Sequence, residues 1–230
     1  QVVVVDDGSQ DSHKGVLAEL AAQLPTVKFV FLEKNVGGGK ARNIGAQNSD
    51  AVWLWFFDDD DIVGAQEINT VLGHVDRLDL KSLLFLSANF ASKSGSRIVV
   101  PKGDNLFFNL SRFGQTINTS CVLMRRELFE KINGWDEALL GGQDTDLFLR
   151  LSEFSDADVL DDVQVTVDQH EGPRITTNPK RQIIAKCQFV KRNWRRLHWF
   201  RLLKYLTSIV ILHPYLRKYI ARIRAYTYGR

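Results

Sequence analysis

Two apolar runs, residues 2–5 and 52–57, stop abruptly at clusters of aspartate: Asp6-Asp7-Gly8-Ser9 after the first and Asp58-Asp59-Asp60-Asp61 after the second. Short β-branched or aromatic runs bounded by turn formers read as buried strands. Acids placed where such strands end lie at the edge of an α/β sheet that carries ligands. The intervening sequence supports that class. Val16, Leu17, Leu20, Ala21 and Leu24 recur at helical spacing, with Asp11 or Ser12 as the expected N-cap. Residues 27–32 read as a strand, 35–39 as a glycine-rich loop and 40–48 as a short helix.

Further on, 65–78 reads as a helix and 83–90 as a strand; 92–115 reads as strands and loops covering a binding face. A short strand is expected over 121–124 and a helix over 126–132, closed by Asn133-Gly134. A helix opens near Gln143, and a late strand covers 163–167. Alternating strands and helices of this kind predict one α/β domain. With 230 residues, 44% hydrophobic and 25% charged, the chain has the material for one sizeable core. Cys121 and Cys187 are far apart and lack a partner motif, which argues against a disulfide scaffold or a zinc site and for a reducing compartment.

Charge divides the chain in two. Residues 1–171 hold all 27 acids against 15 Lys/Arg, whereas 172–230 hold the other 15 Lys/Arg and no acid. The tail is expected to form amphipathic helices: Ile183, Cys187, Val190, Trp194 and Leu197 on one face, then, beyond Pro214, Leu216, Tyr219, Ile220 and Ile223 on another. Interleaved with Trp199, Phe200 and Tyr205, its cations suit an anionic membrane surface; the plain alternative is that they balance the acidic body. Nucleic acid is not expected, since no recognition motif accompanies the charge. No secretory signal is visible at the start, and no apolar stretch reaches the roughly 18 residues of a membrane span.

Four adjacent carboxylates repel one another, and a hard divalent ion held together with substrate phosphates would relieve them; a solvated acidic turn is the alternative. Asp6-Asp7-Gly8-Ser9 repeats the strand-end argument, with a helix-capping turn as its alternative. Gly37-Gly38-Gly39 before Lys40 and Arg42 can bring backbone and cations to a diphosphate. Asp144 shares the inward face of its helix with Phe148 and Leu151. It is either a dipole partner or a functional carboxylate. Asp146 stands four residues before Arg150, the spacing of an ion pair.

In their order, DDGS, NVGGGKARNIG, a strand ending in DDDD, NTSCVLMRRELFEKINGWDEAL, GGQDTDLFLRL and a late histidine, these segments resemble the family 2 glycosyltransferases of the GT-A fold. The resemblance spans residues 2–170. It implies a mixed, Rossmann-like sheet flanked by helices over 1–171, with 172–230 as a basic helical extension. It further implies an inverting, Mg- or Mn-dependent transfer from a nucleotide diphosphate sugar, taken to be a UDP-sugar, to a saccharide or lipid-linked acceptor. The expected setting is bacterial surface polysaccharide assembly in the cytoplasm or at the inner membrane face.

By that resemblance Asp7 contacts the donor base, Arg42 and Asn43 lie near the nucleotide, and Asp58 meets the ribose. Asp60 holds the metal with Asp61 in support, and His170 joins it. Asp144 is the general base, and Trp135 and Asp136 wall the acceptor side. Two departures stand out. Gln143 replaces the glutamate usual before the catalytic aspartate, altering an acceptor-side contact, and the strand–helix unit that precedes DDGS in the family is absent from this sequence. Both lend weight to the rival expectation, a non-catalytic sugar-nucleotide or membrane-binding module.

Overall fold

The computed structural model describes residues 1–77, 79–92, 95–168 and 179–212. Its elements run β1 (Val2–Asp6), α1 (Asp11–Gln23), β2 (Val27–Phe31), α2 (Gly38–Gln47), β3 (Trp53–Trp55), α3 (Ala65–Val75), β4 (Leu83–Ser92) and β5 (Gly95–Val99). There follow α4 (Leu106–Arg112), a 3-10 turn (Thr119–Cys121), β6 (Val122–Arg125), α5 (Arg126–Lys131), α6 (Gln143–Ser152), β7 (Ala157–Asp168), α7 (Pro179–Asn193) and α8 (Trp199–Leu212).

β4 is the centre of the main sheet. It pairs antiparallel with β6 and β5 and parallel with β7, while β3 pairs antiparallel with the far side of β6. Successive side chains of the first half of β4 alternate between two buried layers, which is why residues 83–86 are all apolar. Leu83 and Phe85 pack with Trp135, Leu147 and Phe148, whereas Leu84 and Leu86 pack with Val71 of α3.

β1 and β2 form a separate parallel pair, and no described strand joins β1 to β3. The expected buried strands are therefore only partly buried. Val2 at the start of β1 and Val52 before β3 are exposed, and β3 keeps three residues of the run 52–57.

Helix α4 was not expected in the irregular stretch 92–115. Leu106 and Leu110, four apart, bury one face, but the helix start is capped from afar: the Leu106 N–H donates to Asp156 Oδ1 at 2.8 Å. Such a cap leaves no local mark in the sequence. At α1, Gln10 takes the N-cap position expected of Asp11 or Ser12.

The described part of the basic extension forms α7 and α8, which close over the same core as α6. Ala185, Phe189, Asn193 and Leu197 are the buried residues, while Cys187 and Trp194 of the expected face are exposed. Burial of Asn193 turns the helix to this face, and its partner, Asp146, is remote in sequence. The expected helix beyond Pro214 lies outside the described residues. Among the described residues, no helix is long and apolar enough to cross a membrane.

Candidate active site

The first wall of the site is two interlocked loops. Asp7 ends the β1 motif, and its two carboxylate oxygens accept the N–H groups of Val36 and Gly37 at 2.6 and 3.0 Å. Gly8 has φ +74, and a Cβ there would stand 2.5 Å from Asn35 N and Lys34 C, so only glycine lets the strands' ends touch. Asp7 thus shapes the loop that delivers Lys40 and Arg42 on α2.

Both ends of the aspartate turn after β3 are pinned. The Asp58 N–H donates to Ser120 Oγ at 2.9 Å, and Ser120 is itself held by Asn118 Oδ1 at 2.7 Å. Beyond the turn, Ile62 and Thr166 exchange backbone hydrogen bonds of 2.9 and 2.8 Å, tying it to β7. Asp58, Asp60 and Asp61 each bring a carboxylate oxygen within 4.8 Å of the others. Hard oxygen donors converging at this separation fit a divalent cation such as Mg2+ or Mn2+.

Arg42 links the turn to the rest of the site. Its Nη2 donates to Asp58 Oδ1 at 2.5 Å, and its guanidinium lies 4.8 Å from the centre of the Trp135 ring. Asp144, at the start of α6, lies in the field of the same Arg42 and Asp58. Solvent reaches Asp144, yet neighbouring protein crowds its carboxyl. That crowding raises its pKa; Arg42 opposes the rise and Asp58 adds to it. A carboxylate with a raised pKa beside a cation and an acidic cluster is a better proton acceptor than an ordinary aspartate.

Other expected site residues have different work. Asn43 is engaged within the protein: its Oδ1 accepts the Trp135 N–H at 2.9 Å while its Nδ2 donates to Trp135 O and Glu137 Oε1, both at 3.0 Å. Trp135, expected on the acceptor wall, is 2% exposed and packs edge-on to Phe56 beneath Arg42, so it is floor, not wall. Asp136 turns to Arg192 of α7 at 3.0 Å and to the Ala138 N–H. Gln143 donates to Leu139 O at 2.6 Å and lies over the glycine loop, where a Cβ on Gly39 would meet its amide at 3.1 Å. It therefore joins the start of α6 to the start of α2. His170 lies outside the described residues.

One network was only half legible. Arg150 Nη2 pairs with Asp146 Oδ2 at 2.7 Å, as the spacing predicts, but Arg150 Nη1 also donates to Ile132 O and Gly134 O, at 2.9 and 2.7 Å. Asn193 Nδ2 of α7 donates to Asp146 Oδ1 at 2.7 Å. The basic extension thereby braces the helix bearing Asp144 and the loop bearing Trp135.

Residues 1–132 match the sequence pattern of glycosyl transferase family 2. The succinoglycan biosynthesis protein ExoO of Rhizobium meliloti is 29% identical over 162 residues, covering 63% of this chain and 44% of that protein. The chain spans about half the length of the curated relatives it matches. The Pyrobaculum calidifontis mannosyltransferase PcManGT, solved with GDP-Man and Mn2+, superposes with a TM-score of 0.64 at 15% identity, over 100% of this chain and 66% of that one. S. aureus TarS in complex with UDP gives 0.58 at 18%, over 91% and 61%. These likenesses establish the fold as GT-A, a mixed sheet flanked by helices.

Proposed function

The chain belongs to glycosyl transferase family 2, and on that premise we propose that it moves a sugar from a nucleotide diphosphate donor to an acceptor hydroxyl with inversion. The observation that carries this reading is Arg42 bonded to Asp58, one of three clustered carboxylates, with Asp144 in the field of both. Asp144 takes the proton of the acceptor hydroxyl as its oxygen bonds to the anomeric carbon. The bond from that carbon to the diphosphate breaks, and the nucleoside diphosphate leaves with the electron pair. Asp144 shares its surroundings with Asp58, which lowers its readiness to stay ionised and suits it to a base.

Asp58, Asp60 and Asp61 are the residues that would hold Mg2+ or Mn2+. Such an ion, when bound, offsets the charge gathering on the departing diphosphate. Arg42, already opposed to Asp58, steadies that carboxylate and supplies positive charge on the donor side. Asp7 and its loop border the donor base.

UDP bound to TarS and GDP-Man bound to PcManGT support a nucleotide diphosphate sugar, which we take to be a UDP-sugar, and the similarity to ExoO supports a role in polysaccharide synthesis. A saccharide or lipid-linked acceptor follows from that role. The proposed location is the cytoplasm, which suits two unpaired thiols. The test is a screen of nucleotide sugars with Mg2+ or Mn2+, scoring released nucleoside diphosphate. Release that requires the metal and an acceptor supports transfer. Donor binding without release by any sugar nucleotide leaves only a binding module.

A further inference from the structure

We propose that the outer face of α8 is a docking surface for an anionic membrane, lying flat in the lipid–water boundary. Leu202 and Tyr205 turn inward against the core. On the other side Trp199, Phe200, Leu203, Leu206, Val210 and Ile211 are all exposed, from 43% to 68%. At 3.6 residues per turn they fall in one arc of about 140°, an apolar stripe along the helix interrupted only by the exposed Thr207. Near the start of α8, α4 and its C-cap carry exposed Phe108 and Phe113. The two helices touch there: the His198 N–H donates to Ser111 O at 3.1 Å, and the Arg201 guanidinium lies against Gly114.

Cations accompany the exposed aromatic rings of α8 and of the segments that end α4 and α7. Lys204 lies 4.9 Å from the Phe200 ring centre, Arg112 lies 5.3 Å from that of Phe113, and Arg195 lies 5.0 Å from that of the exposed Trp194. Unlike Arg192 and Arg196, which are matched by Asp136 and Glu153, these three have no acidic partner within ion-pair distance among the described residues. Aromatic and aliphatic side chains on one face with cations at its edges are what an interfacial helix needs.

Charge also selects among the occupants. A second copy docked face to face would set the same cations against one another. Residues 213–230 carry five more Lys/Arg and no acid, so they would bring like charge to the same cations. Anionic lipid alone turns every one of these charges favourable.

The inference stands apart from the transfer chemistry, and its failure would leave the proposed function untouched. The full chain is spun with vesicles of phosphatidylglycerol and phosphatidylcholine in equal parts, and with phosphatidylcholine alone. It should sediment with the first, less so at high salt, and little with the second. Leu203→Glu with Leu206→Glu, both at exposed positions and therefore compatible with folding, should weaken binding about tenfold or more. Val16→Glu on exposed α1 should not. To identify the occupant, Leu203→Cys in a Cys187→Ser background should react with a maleimide in solution and be shielded by the anionic vesicles.

Absence of wild-type binding to the anionic vesicles overturns the proposal, as does equal loss in Val16→Glu. Shielding of position 203 without vesicles also overturns it: if it grows with protein concentration a second copy covers the stripe, and if not the chain covers its own.

Discussion

Replacing Asn193 with alanine tests whether α7 is part of the machinery that holds the site. Asn193 is fully buried, and its Nδ2 donates to Asp146 Oδ1 at 2.7 Å and to Phe189 O at 3.3 Å. A hydrogen bond to a buried charged group contributes about 1.5–3 kcal/mol. Two features trim that figure. Arg150 still grips the other oxygen of Asp146 through Nε and Nη2, at 2.8 and 2.7 Å, so the carboxylate is not left unpaired. Asn193 Oδ1 is buried with no hydrogen-bond partner among the described residues, and removing it returns about 1 kcal/mol. The small void left by the amide adds a fraction back. The net expectation is a loss of about 1–2.5 kcal/mol, or a fall of about 5 °C in Tm for a chain of this size. Urea unfolding followed by tryptophan fluorescence measures it, since Trp135 lies in the loop that Arg150 braces. Asn193→Asp, which sets a second carboxylate beside Asp146, should cost more than alanine. A loss below about 0.5 kcal/mol for alanine, the range of ordinary surface changes, would refute the bracing role.

Other expectations concern the site itself. Asp144→Asn should retain donor binding, read by calorimetry, while slowing transfer about 100- to 10000-fold; normal turnover would remove Asp144 as the base. Crowding raises the Asp144 pKa above that of an unfolded aspartate, so the native state binds its proton more tightly and loses stability as pH rises through the raised value. In chelator-treated buffer, Asp144→Asn should therefore be more stable than wild type above that value, the gain vanishing below the unfolded pKa of about 4; thermal melts across pH check the sign. Gly39→Ala should destabilise by pressing on the Gln143 amide, and Gln143→Ala in the same chain should relieve it, a coupling that a double-mutant cycle of melts would reveal. Burial pushes the Cys121 thiol up to about 12, with Asp61 adding to the rise, so at mild alkalinity iodoacetamide should label Cys187 alone, as mass spectrometry would show.

Periodicity and strand-end chemistry were enough to place most elements, because the apolar run that opens 83–90 and the abrupt stops at Asp6 and Asp58 are local properties of the chain. The same holds for the Asp146–Arg150 pair, four residues apart on one helix. The ordered motifs were enough to identify the family, whose pattern matches residues 1–132.

What the sequence left undetermined was which of several polar residues in one motif faces the cleft. Asn43 and Arg42 are neighbours, yet one is spent on the Trp135 backbone and the other reaches Asp58. Helix rotation decides between them, and that depends on what the facing loop presents. Trp135 and Asp136 were left undetermined for the same reason: each finds its partner, Asn43 or Arg192, in a segment distant along the chain. The buried face of α7 also depended on a contact with Asp146, 47 residues away. Local sequence determines where acids, glycines and apolar runs stand; only tertiary packing, by matching each buried polar group to a remote partner, decided which of them remain available for chemistry.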